Sequence, residues 1–82
     1  MPYTVKEGRP KLNIIVNLMK GLDVKVDGDL NYVLFAFCKR FIKPGYNNYK
    51  NFCGELNECV TEIRRELLAP YEDQKKLENG EV

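Results

Sequence analysis

The sequence predicts an all-α protein, a small bundle of three main helices with short loops and a charged C-terminal tail, and we expect it to be dimeric. Apolar residues recur at helical spacing in three segments of the 82-residue chain. Proline and glycine separate these segments. The length fits one domain, residues 1–82. We expect its core over about residues 10–70, with a less ordered N-terminal arm (1–9) and C-terminal tail (71–82).

The first helix is predicted over Pro10–Lys20. Proline suits the first helical turn because its missing N–H would have no partner there. Gly21 follows as the expected left-handed stop. The next segment, Leu22–Asp27, alternates like a strand but is too short and isolated for a sheet. We expect a loop that places Val24 or Val26 on the core.

The second helix is predicted from Asp29 to about Lys43. Asp29 is a suitable N-cap, and its negative charge matches the positive end of the helix dipole. The helix should stop before Pro44, because a residue that precedes proline avoids the helical conformation.

The third helix is predicted over Tyr49–Ala69, about 30 Å long, with Asn47 or Asn48 as its cap. Pro70 should end or kink it. The residues beyond are charged, and we expect at most one loose helical turn there.

The width of the apolar faces predicts self-association. On a helical wheel, the third helix has one ordinary stripe of roughly 120°. The first two helices are apolar over about half their circumference, more than one partner helix can cover. A homodimer would cover the excess. The alternative is a three-helix monomer whose loop covers it.

Composition excludes several functions. The chain has 13 basic and 12 acidic residues and no histidine. Ser-His-Asp and Cys-His catalysis are therefore excluded, and we assign no catalytic residue and no cofactor. No apolar run is long enough to span a bilayer, and no signal peptide is recognisable, so we expect a cytoplasmic protein. Its three cysteines, Cys38, Cys53 and Cys59, are then expected as free thiols.

A row of glutamates on the third helix suggests one alternative function. Glu55, Glu58 and Glu62 have a spacing that could hold Mg²⁺ in a nucleotide-handling enzyme, with Glu72 or Asp73 completing the site. The second helix offers no facing carboxylate. The simpler interpretation is a solvated flank, partly paired with Arg65 or with the basic residues Lys39, Arg40 and Lys43 of the second helix, and we therefore assign no metal site.

Basic residues suggest a second alternative, weak nucleic-acid binding. Lys39, Arg40 and Lys43 lie at the predicted end of the second helix and could bind phosphate. Cations at a helix C-terminus are also simply matched to the helix dipole, and this is the interpretation we prefer.

Candidate partner-binding residues come from the wide faces and from the tail. Phe35 and Ile42 widen the apolar face of the second helix. Tyr71 could anchor the tail on a partner or on a second subunit, together with Glu72 and Asp73.

The chain resembles a family of short uncharacterised proteins from bacterial and phage genomes. The matching residues include Gly28–Tyr32, Glu58-Cys59 and Ala69–Asp73, in the pattern GDLNY…EC…E…RR…APYED.K..ENG. The sequence departs from this pattern at Gly8, where an acidic residue is more usual. The family has no assigned activity, so the resemblance implies a class of protein and no reaction.

The function is therefore unknown from the sequence. The preferred hypothesis is a small non-enzymatic interaction or accessory module that acts as a homo-oligomer, without membrane or nucleic-acid binding.

Overall fold

The computed structural model describes residues 4–80, and within that range every regular element is helical. The all-α class with three main helices is therefore confirmed, whereas the dimer stays a prediction. In chain order the elements are a 3₁₀ turn (Lys6–Gly8), α1 (Arg9–Gly21), α2 (Gly28–Phe41), α3 (Tyr46–Ile63), a π-helical turn (Arg64–Leu68) and α4 (Ala69–Asn79).

The chain divides into two units, residues 1–42 and 43–82. The first unit contains α1 and α2, and the second contains α3, the π turn and α4. The predicted division into core, arm and tail stays a prediction. The parts of that arm and tail on residues 1–3 and 81–82 lie outside the described residues.

The end of α1 differs from the prediction. Gly21 is still helical, and the left-handed residue is Asp23, with φ 56°. The amide of Val24 donates to the carbonyl of Met19 (3.1 Å), and the amide of Asp23 donates to that of Lys20 (3.1 Å). These two bonds form a Schellman motif, in which aspartate tolerates the position usually taken by glycine. Val24 is half-buried as expected of the loop, whereas Val26 is exposed.

The caps of α2 also differ from the prediction. The N-cap is Asp27, whose carboxylate accepts from the amide of Asp29 at 2.9 Å. Asp29 lies in the first turn, and its own carboxylate accepts from the amide of Lys25 at 3.3 Å. The helix ends at Phe41, two residues before the predicted Lys43. Asp27 therefore caps the helix, and Asp29 fixes the loop before it.

The third helix begins earlier than predicted. It starts at Tyr46, after Gly45 in a positive-φ conformation (154°) that favours glycine. The predicted cap residue Asn48 lies inside the helix, and its side-chain amide donates to the carbonyl of Lys43 at 3.0 Å. Asn48 thus fixes the loop before the helix.

Pro70 does not end the helical path. The π turn Arg64–Leu68 leads directly into α4, so residues 46–79 form one uninterrupted helical run. Pro70 has no N–H, and in a straight α-helix its ring would collide with the carbonyl four residues earlier. The wider π turn lies where that conflict would arise. The predicted end of the helix at Pro70 is therefore wrong, whereas the kink predicted as its alternative stays a prediction.

No side chain from Thr4 to Gly80 is buried. Taking either unit alone could only increase exposure, so neither unit buries a side chain by itself. The large apolar residues on α1 and α2 are mostly exposed, and a second set lies along the run of residues 46–79. The apolar side chains that would normally form a core therefore lie on the surfaces of the two units.

Candidate functional site

The most extensive apolar surface of the first unit lies on its two helices. Phe35 on α2 is 65% exposed, and the rings of Phe37 and Phe41 lie 5.5 Å apart with an interplanar angle of 48°. The α1 residues with exposed apolar side chains are Leu12, Ile14, Ile15, Val16 and Leu18. The exposed apolar side chains on each helix are chemically suited to a protein partner, because burial of apolar area is the main favourable term in association.

The predicted partner-binding residues lie in both units. Phe35 is exposed and Ile42 is half-buried in the first unit. Tyr71 and Glu72 lie on the first turn of α4 in the second unit and Asp73 follows them, and all three are exposed. The structure therefore leaves these side chains available for contact, while their role in binding stays a prediction.

The π turn changes which residues share a face in the second unit. A π turn adds about one residue to a helical turn, which rotates everything after it back by roughly 100°. The apolar stripe of α3 is centred on Leu56. In a straight helix, Leu68 would lie roughly 120° from that centre and Tyr71 roughly 60° from it. The rotation brings them to within roughly 40° of that centre.

Exposure agrees with this change of face. Leu68 is 45% exposed, whereas its neighbour Leu67 is 66% exposed. The result is one apolar seam along the helical run, consisting of Tyr49, Leu56, Val60, Ile63, Leu68 and Tyr71. The sequence analysis missed both Leu68 and the alignment of Tyr71, and the signal that could have revealed them is the proline at position 70.

Tyr71 is held in place by neighbours on α4. The ammonium of Lys75 lies 5.6 Å from the centre of the Tyr71 ring, a cation–π distance. The same ammonium donates to Glu78 at 3.0 Å. These contacts between residues three and four positions apart support the helical turn that carries Tyr71.

The glutamates of α3 are partly paired, as the solvated-flank interpretation expects. The guanidinium of Arg65 donates to Glu62 and, at 3.2 Å, to Glu66. Glu62 is the least exposed partner, with 14% of its side chain exposed. Among residues 4–80, no group of three or more metal-ligating side chains is close enough to hold an ion. Glu55, Glu58 and Glu62 are therefore not brought together as ligands.

An open groove lies on α3 around Gly54. Its walls are Lys50, Asn51, Glu55 and Glu58, all from one helix. A Cβ at Gly54 would meet nothing within 4 Å, so the groove is simply the surface left by a missing side chain. Lys50 itself lies 5.6 Å from the ring centre of Tyr46.

The predicted phosphate-binding residues do not form a shared site within either unit. Lys39 and Arg40 lie in the last turn of α2, as the dipole interpretation expects. The guanidinium of Arg40 donates to the hydroxyl of Tyr32 at 3.4 Å. Lys43 lies beyond the end of α2, in the second unit.

All three cysteines are free thiols, Cys38 half-buried and Cys53 and Cys59 exposed. Among the helices of the described part of the chain, none is long and apolar enough to cross a membrane.

Comparison with known proteins identifies a family. Searches among curated proteins and among solved structures find no match to the chain. The family model of a domain of unknown function, DUF6899, matches residues 1–82. Because this match covers the whole sequence, the chain belongs to the family of domain of unknown function DUF6899.

Proposed function

We propose that the protein is a small non-enzymatic interaction or accessory module that works as a homo-oligomer. The observation that supports this most strongly is the exposure of large apolar side chains in both units, with no described side chain buried. Soluble monomers rarely expose large contiguous apolar patches, because such patches bind other surfaces.

Energetics support the same proposal. Isolated helices of 13 and 14 residues, the lengths of α1 and α2, are marginal in water. Ordering the backbone costs about 1–2 kcal/mol per residue, and burial returns about 25 cal/mol per Å² of apolar area. A second copy of the chain supplies that area without any further component, most simply through a two-fold interface.

The residues proposed for contact are the exposed or half-buried ones that the sequence singled out. Phe35 and Ile42 belong to the first unit, and Tyr71, Glu72 and Asp73 belong to the second. An aromatic ring beside carboxylates is suited to an interface whose partner supplies apolar surface and a cation.

We also propose that the protein works in the cytoplasm. Three free thiols support this compartment, because cysteines persist unpaired where the environment is reducing.

Molar mass by light scattering across a dilution series, under reducing conditions, tests the proposed self-association. A dimer of the 9.5 kDa chain is expected, about 19 kDa, with dissociation only on strong dilution. A mass of 9.5 kDa throughout the series, together with a cooperative unfolding transition, would identify a stable monomer and contradict the proposal.

A further inference from the structure

The apolar seam of the second unit has the length that a helix pair requires. It runs from Tyr49 to Tyr71, about 33 Å at 1.5 Å per residue. Burial of one large apolar side chain removes on the order of 100 Å² from water. Six side chains at that figure supply at most about 600 Å², since Leu56 among them is already half-buried. Cys53 and the stems of neighbouring side chains supply the rest of the roughly 800 Å² that each partner buries in a stable complex.

The two edges of this seam carry opposite charges. On the helical wheel, Glu55, Glu62 and Glu66 lie along one edge, and Lys50 and Arg64 lie along the other. Arg65 neutralises part of the acidic edge by pairing with Glu62 and Glu66. The acidic edge then keeps a net charge of about −2, and the basic edge has a net charge of about +2.

The direction of pairing follows from these edges. When two identical helices pack in parallel about a two-fold axis along the seam, the acidic edge of one faces the basic edge of the other. In an antiparallel pair, like edges face each other, and like charges repel. The charge pattern therefore favours the parallel arrangement.

We propose that the helical run of residues 46–79 pairs in parallel and in register with the same run of a second copy of the chain, along the seam from Tyr49 to Tyr71. This rests on the proposed self-association and adds its surface and direction. The π turn is part of the interface, because it brings Leu68 and Tyr71 onto the seam.

Disulfide cross-linking of the full chain tests this pairing. In a parallel, in-register pair, equivalent seam residues lie next to each other across the two-fold axis, and a disulfide requires Cα atoms about 4.4–6.8 Å apart. Two reporters are used, Tyr49→Cys and Ile63→Cys, each with all three native cysteines replaced by alanine. Gly54→Cys in that cysteine-free background is the matched control, because Gly54 lies roughly 160° from the centre of the seam and a Cβ there meets nothing within 4 Å.

Mild oxidation should convert both reporters to covalent dimers and leave the control monomeric under denaturing conditions. An antiparallel pair brings at most one of the two reporters together, because they lie about 21 Å apart along the helix. Cross-linking at only one reporter, at neither, or equally at the control would overturn the proposed pairing.

Light scattering on the reduced variants separates the two proposals. A dimeric mass without cross-linking at both reporters leaves self-association intact and rejects the parallel seam. A monomeric mass for the reduced wild-type chain rejects both. A variant that is monomeric while the wild type is dimeric is replaced by a reporter at Val60→Cys, on the same seam.

Discussion

The amide of Ala69 donates to the carbonyl of Arg64, five residues earlier rather than the four of an α-helix. This bond lies immediately before Pro70, the residue that cannot donate and whose ring needs space on the preceding turn. The π turn therefore reconciles an uninterrupted helical path with a proline inside it, and it sets the face on which Tyr71 lies.

Replacing Pro70 with alanine removes the reason for the π turn. Alanine donates a normal hydrogen bond and is about 3 kcal/mol more favourable than proline inside a helix. We expect helicity by circular dichroism to be unchanged or higher, while Tyr71 rotates off the seam and the dimer dissociates at a higher concentration. An equally tight or tighter dimer would contradict the role given to the π turn. Gln74→Ala, which lies on α4 beyond the turn and outside the proposed contact residues, is the control.

Replacing Asp27 with alanine should lower the free energy of unfolding by about 1 kcal/mol. The carboxylate of Asp27 accepts the amide of Asp29, one of the donors at the start of α2 that has no partner within the helix. Urea denaturation at a fixed chain concentration measures the change, since association also contributes to stability. Asp27→Asn keeps the acceptor and should retain most of the stability, and equal losses in both variants would argue against capping.

Because Asp23 has a left-handed backbone conformation, glycine and alanine at this position should give different free energies of unfolding. Glycine adopts φ 56° without cost, whereas alanine is strained. Both substitutions remove the exposed ion pair with Lys25, so its small contribution cancels in the comparison. We expect Asp23→Gly to exceed Asp23→Ala by about 1 kcal/mol in the free energy of unfolding. Identical urea midpoints would mean that the turn adjusts when the residue changes.

Reversing the basic edge of the seam should weaken the parallel pair. Lys50→Glu with Arg64→Glu gives both edges a net negative charge, so the facing edges of a parallel pair repel each other. Sedimentation equilibrium should show several-fold weaker association at low salt and a smaller difference at 1 M salt, where the screening length is about 3 Å. A loss that does not depend on salt would indicate altered packing instead of charge, and an unchanged affinity would remove the edges from the interface.

Local rules recovered much of the helix pattern from the sequence. Pro10 lies in the first turn of α1, and Pro44 follows the end of α2, because proline acts on its immediate neighbours. The caps were less accurate. Asp27, Asp29, Asn47 and Asn48 are all acceptable cap residues by type, and the backbone conformation decides which one accepts an amide.

The candidate surfaces were predictable in composition and less so in arrangement. Phe35 and Tyr71 are exposed as contact residues require, and the glutamate flank is partly paired with Arg65. Leu68 was missed because a helical wheel assumes a constant 100° per residue, and one π turn breaks that assumption.

The sequence by itself determined the all-α class, the approximate extent of the helices and the charge pattern, since these depend on residues close together in the chain. The three-dimensional structure decided that the path continues through Pro70 and that Leu68 and Tyr71 join the apolar face of α3. It also decided that neither unit encloses its own apolar side chains. The physical reason is that helix formation depends on local hydrogen bonds, whereas burial depends on which surfaces meet.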